Sequence, residues 1–100
     1  MKVNIQSVNF NISSDLRAFV ESKAEALDKV YDKIINAEVY LKVQSTSEKE
    51  NKNVEIKINI PGDEFMVKKK SKSFEEGVDL AVESLKRILR KKKQKQRIHH

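Results

Sequence analysis

Cysteine and tryptophan are absent, and the 100 residues hold one proline and two glycines. Without cysteine there is no thiol nucleophile, zinc finger, iron–sulfur cluster or disulfide scaffold, and the chain fits a reducing compartment. So few breakers, beside 38% hydrophobic residues, exclude a disordered or fibrous class. No run approaches the ~18 apolar residues of a membrane span. The start, Met1-Lys2-Val3-Asn4-Ile5-Gln6, is polar at every second position and has no signal-peptide core. A soluble, cytoplasmic protein is expected.

Chemistry is missing too. The only histidines, His99 and His100, stand at the extreme C-terminus, where nothing could hold a base or a metal ligand in place. Two glycines cannot supply a phosphate-cradling loop, and carboxylate neighbours such as Glu75 and Glu76 read as helix-start residues. With no nucleophile–base pair and no ligand cluster, no enzyme, cofactor, metal or small-molecule substrate is expected.

What is present is charge, unevenly placed. Residues 1–50 carry seven basic and eight acidic side chains, whereas residues 51–100 carry fourteen basic and seven acidic. From Lys86 to Arg97, eight of twelve positions are basic and none is acidic. Such a segment calls for an anionic partner, and a polyanion would release counterions on binding, so affinity would fall steeply with salt.

Hydrophobic spacing supplies the elements. Val3, Ile5 and Ser7 alternate with polar neighbours, predicting a strand over about Lys2–Val8. Ser13 or Ser14 can cap a helix whose stripe, Leu16, Phe19, Val20, Ala24, Leu27, Val30, Tyr31 and Ile34, carries it to about Lys33. Lys23 falls at the edge of that stripe, an unusual place for a lysine. Alternation predicts further strands over Ala37–Gln44 and Asn53–Ile60, separated by the polar stretch from Ser45 to Asn51. Pro61-Gly62-Asp63 then turns the chain into a fourth strand through Phe65 and Val67. Lys68, Lys69, Lys70 and Lys72 crowd its end and suit either a strand edge blunted against aggregation or an anion contact. Phe74, Val78, Ala81, Val82, Leu85 and Leu89 predict a second helix from Phe74 to Lys93 or beyond, with Arg87, Arg90 and Lys91 facing away from the core and Lys86 and Lys93 flanking it. The order β-α-β-β-β-α, with a right-handed crossover joining two parallel strands, defines a two-layer α+β domain: a four-stranded sheet with both helices on one face. One domain over residues 1–95 is expected, with an unstructured basic and histidine tail over 96–100.

The closing helix from Phe74 to Lys93 resembles that of the ribosome hibernation-promoting factors, also known as ribosome-associated inhibitor or sigma-54 modulation proteins. Val3-Asn4-Ile5-Gln6, Leu16-Arg17-Ala18-Phe19-Val20, Lys23, Leu27, Tyr31 and Val39-Tyr40-Leu41-Lys42-Val43 are similar as well, so the likeness covers nearly the whole chain. It implies a double-stranded-RNA-binding-like domain. Such a domain would bind ribosomal RNA of the small subunit, in the messenger and transfer RNA channel near the decoding region, and block translation in slow growth or stress. It further implies rRNA contacts at Lys23, Lys29, Lys86, Arg87, Arg90, Lys91 and Lys92, with Lys68, Lys70 and Lys93 as candidates for additional phosphate contacts. Asp79 matches an acidic position of the family's second helix. The length is that of the short form, expected to be a monomer in solution. Where many members have Tyr-Ala-Ala-Ile-Asp, this chain has Glu75-Glu76-Gly77-Val78-Asp79, so a contact made by that tyrosine has no counterpart. A general duplex-RNA binder and a protein-interaction module using the exposed sheet face are the alternative readings.

Overall fold

In a computed structural model that describes residues 1–98, with side chains through Lys95, the chain forms β1 (Lys2–Val8), α1 (Ser14–Glu25), a 3₁₀ turn (Ala26–Lys29), β2 (Asn36–Val43), β3 (Lys52–Ile60), β4 (Asp63–Ser71) and α2 (Phe74–Ile98). The strands lie in sequence order. β1 pairs parallel with β2, while β2–β3 and β3–β4 are antiparallel. A period of two in the sequence becomes two unlike faces. Ala37, Val39 and Leu41 of β2 and Val54, Ile56, Ile58 and Ile60 of β3 are buried beneath the helices. Asn36, Glu38, Tyr40 and Lys42, with Asn53, Glu55, Lys57 and Asn59, turn to the open face.

Each connection has a local cause. Asn9 leaves β1 with φ 69°, a left-handed value that asparagine tolerates, and its side-chain amide donates to the Val43 carbonyl at 3.3 Å. Ser13 caps α1 by accepting from the Leu16 amide at 3.1 Å, and Ser73 caps α2 by accepting from the Glu76 amide at 3.2 Å. Between β3 and β4, Pro61 and Gly62 form the two-residue loop, and Gly62 at φ 80° satisfies a turn position that needs positive φ.

The first helix is shorter than its apolar stripe. Beyond Glu25 it tightens into the 3₁₀ turn, and the amides of Val30 and Tyr31 both donate to the Leu27 carbonyl at 3.0 Å. Asp28, Val30, Tyr31 and Asp32 are all weak helix formers, and the chain must turn back toward the start of β2. Tyr31 and Ile34 are nevertheless buried, so the stripe predicts the core correctly and the helix end incorrectly. The second helix runs longer, carrying helical backbone through 96–98 in place of the expected tail, because no glycine or proline follows Gly77. His99 and His100 lie outside the described residues.

Helix α2 packs on β3 and β4, and α1 lies beside it over β1. Phe10, ahead of α1, stacks on Phe74 with ring centroids 4.7 Å apart and closes one end of the core. Helix α2 approaches the sheet closely at Gly77, where an added Cβ would stand 2.7 Å from both Ser71 Oγ and Val54 Cγ2. Ser71 is itself buried and donates to the Ser73 carbonyl at 2.6 Å, so it has little freedom to move away. Gly77→Ala is therefore expected to lower stability by about 1–2 kcal/mol, overpacking outweighing alanine's better helix propensity. Urea unfolding followed by circular dichroism measures it; an unchanged or higher midpoint would show that the helix can lift without cost.

Candidate nucleic-acid interface

The apolar stripe of α2 ends at Leu89, and from there the helix is almost wholly basic. Glu75 and Glu76 sit in its first turn, so the helix dipole favours the charge at both ends, but dipole complementarity needs two or three cations and the helix carries many more. Cations in such excess repel one another. Their density exceeds what the helix dipole and the few ion pairs of this helix can balance.

Residues far apart in sequence meet here. Lys29 of the 3₁₀ turn and Arg90 and Lys93 of α2, together with Val30 and Gln94, line a cleft of about 330 Å³ between that turn and α2. Lys29, Arg90, Lys91 and Lys93 are exposed and have no ion-pair partner among the described residues. Lys86 and Arg87 are held along the helix, Lys86 Nζ 3.3 Å from Glu83 Oε1 and Arg87 Nη2 donating to Ser84 Oγ at 3.1 Å. Three cations converging on one cleft without a counter-charge fit a phosphate better than any neutral group.

Lys23 proves to be an interhelical residue. Its Nζ lies 3.0 Å from Asp79 Oδ1 of α2 and 5.6 Å from the centre of the Phe19 ring. Its place at the edge of the apolar stripe follows, because the stem crosses the α1–α2 seam to a carboxylate. Lys92 and Lys93 also part company. Lys93 stands exposed at the cleft, whereas half-buried Lys92, three residues beyond Leu89, follows the core stripe and reaches Asp63 Oδ2 at 3.5 Å beside the β3–β4 turn. Lys86 is half-buried and flanks the core as its spacing predicts, whereas Lys93 is exposed and Lys92 takes the flanking place on the sheet side.

Lys68 and Lys70 do not join the helical face. Both project from the opposite side of the sheet, Lys68 paired with Glu55 at 3.7 Å and Lys70 with Glu48 at 3.6 Å. On that side Lys57 stands 3.3 Å from Glu64 and 3.7 Å from Glu38. The hydrogen bond and charge of Glu64, with the charge of Glu38, raise its ammonium above the ordinary 10.5. Because the folded value exceeds the unfolded one, this pairing stabilises the fold below about pH 10.5 and fades as pH rises through the folded value. Among the described residues no group of three potential metal ligands occurs, and no helix is long and apolar enough to cross a membrane.

A two-layer α+β domain with a cationic helical face is the class that these features define. The family model for sigma 54 modulation protein / S30EA ribosomal protein matches residues 3–97. A Ribosome hibernation promoting factor of Pseudomonas putida is 31% identical over 96 residues, covering 96% of this chain and 90% of that protein. The Protein Y N-terminal domain of Thermus thermophilus superposes with a TM-score of 0.78 at 25% identity, covering 91% of this chain and 98% of that one. A ribosomal subunit interface protein from Coxiella burnetii superposes at 0.82 with 24% identity, over 94% of this chain and 99% of the other, and shares the fold. The chain belongs to the sigma 54 modulation / S30EA family, the ribosome hibernation factors, and that family is not enzymatic.

Asp79 is tied to a cation of this face from the neighbouring helix, through its bridge to Lys23. An exposed pair of this kind is worth about 0–1 kcal/mol, so Asp79→Asn should leave the melting temperature within a few degrees. It should also tighten RNA binding at low salt, by releasing Lys23 and removing a repulsive charge, with the gain vanishing at high salt. Filter binding across a salt series measures this, and weaker binding would show that the bridge positions Lys23 rather than occupying it.

Proposed function

We propose that the protein is a cytoplasmic, ribosome-associated hibernation factor. It seats as a monomer on the small subunit, in the messenger and transfer RNA channel near the decoding region, and blocks translation by occupancy during slow growth or stress. The observation that carries this reading is the cleft where Lys29, Arg90 and Lys93 converge, continuous with the unpaired charge of α2. Membership of the hibernation-factor family and the full-length likeness to the Pseudomonas putida protein support it.

In this reading Lys29, Arg90, Lys91 and Lys93 meet ribosomal RNA phosphates directly. Lys86 and Arg87 exchange their intrahelical partners for phosphate, and Lys23 and Lys92 leave Asp79 and Asp63 to do the same. Side chains of this type position a protein on RNA without reading bases, so the spacing between cleft and helix selects the site by shape.

Sucrose-gradient sedimentation with small subunits, beside a free RNA duplex, tests the reading. Arg87→Ala, Arg90→Ala and Lys91→Ala combined should weaken co-sedimentation and lower the salt slope by up to about three, near one unit per lost phosphate contact. Messenger and transfer RNA should displace the wild-type protein. Equal affinity for the bare duplex would make the domain a general duplex binder, and unchanged binding by the triple variant would remove the helical face from the interface.

A further inference from the structure

The open side of the sheet has its own concavity, on the far side from the helices. It measures about 590 Å³ and is lined by Tyr40, Lys42, Gln44, Asn53, Lys68 and Lys70 among others. Two adjacent rows of the strand register build it. One runs Tyr40–Glu55–Lys68 across β2, β3 and β4, and the next runs Lys42–Asn53–Lys70. Strands ~4.8 Å apart and like-facing residues ~7 Å apart put one ring and three ammonium groups within the span of two or three nucleotides.

The chemistry of these rows is specific. Tyr40 is half-buried and lines the concavity, so part of its ring is open to a partner. Lys42 is exposed and has no ion-pair partner among the described residues. Lys68 and Lys70 have only long, exposed pairs with Glu55 and Glu48, contacts that a phosphate readily displaces. The Asn53 amide donates to Gln44 Oε1 at 3.3 Å, which leaves the Gln44 amide N–H groups and the Asn53 oxygen for the edge of a base. A ring and a cation on β2 face two cations on β4 across Glu55 and the Asn53 amide of β3, and once Lys68 turns from Glu55 to a phosphate this arrangement matches an unpaired nucleotide strand. A duplex offers no base face to stack.

We infer that this sheet face is a second RNA site, which takes a short single-stranded segment by stacking a base on Tyr40 and holding its phosphates with Lys42, Lys68 and Lys70. The site stands apart from the helical face and does not depend on ribosome binding. Charge complementarity chooses RNA over an apolar partner, since the concavity carries several lysines and one carboxylate.

A labelled hexauridine tests it, followed by anisotropy and by the protein's own tyrosine emission. The chain has two tyrosines and no tryptophan, and Tyr31 is 4% exposed, so stacking on Tyr40 should quench the emission on binding. Tyr40→Ala should weaken hexauridine binding about tenfold, within the range for loss of one base–aromatic stack, while Tyr40→Phe retains it. Lys42→Gln with Lys70→Gln should lower the single-strand salt slope by up to about 1.4, near 0.7 per lost phosphate contact. The Arg87, Arg90 and Lys91 triple variant should still show the quench at saturation. Failure of the wild type to bind, binding without quench, or equal competition by a hexaglutamate peptide would each overturn the proposal. Should Tyr40→Ala unfold, the lysine pair and the wild-type quench decide the matter.

Discussion

A sheet with one apolar face has to be covered on that face alone, and here its width sets the rest. Four strands about 4.8 Å apart make a surface some 15–20 Å across, room for two helices of about 10 Å and no more. Helices α1 and α2 must therefore touch along a seam. From that contact follow the Lys23–Asp79 bridge across the seam and the cleft where Lys29 meets Arg90 and Lys93. The cationic face is a by-product of how a two-layer domain closes: the seam that completes the core also brings together charges more than sixty residues apart.

The second helix divides the work between its halves. Up to Leu89 it is a packing element, its buried side chains lying on β3 and β4, with Gly77 allowing the close approach. Past Leu89 no core remains for it to cover, and Lys92 takes the next position of the stripe, its stem half-buried and its ammonium reaching Asp63. A lysine there keeps the helix in register with the sheet edge while leaving the end hydrated. Mutual repulsion makes this end costly to the free domain. A polyanion that neutralises it would recover the loss, so in the proposed complex the residues that weaken the fold would strengthen binding.

Much of this was legible in the residues. Alternation in Val54, Ile56, Ile58 and Ile60 marks both the strand and its buried face, and helical spacing from Phe74 to Leu89 marks α2 and its inner stripe. The end of α1 was not legible, because Tyr31 and Ile34 continue the helical spacing although they are buried from the loop that follows the 3₁₀ turn. Burial follows where a side chain ends up, and more than one backbone path brings it there. The partner of Lys23 was hidden for a different reason: its place on the stripe signals an unusual environment, but Asp79 lies on another element. The Tyr40 and Lys42 rows needed the register of three strands, which alternation alone does not supply.

The two faces differ in how ready their charges are. On the helical side the cations are fixed to a 25-residue helix, about 37 Å long by its rise per residue, so their spacing is set before any partner arrives. A flexible basic tail of the same composition would meet phosphates with equal charge but would lose chain entropy in doing so, and could follow any RNA contour. Rigid spacing gives up that adaptability. It rewards a surface whose phosphates already stand at matching intervals, which a folded RNA holds and a fluctuating strand does not. The sheet face has the complementary character, short and shallow with its lysines in loose ion pairs, and suits a segment that bends to meet a single ring. One fold thus offers a fixed ruler on one side and an adaptable platform on the other, and both follow from covering only one face of a four-stranded sheet.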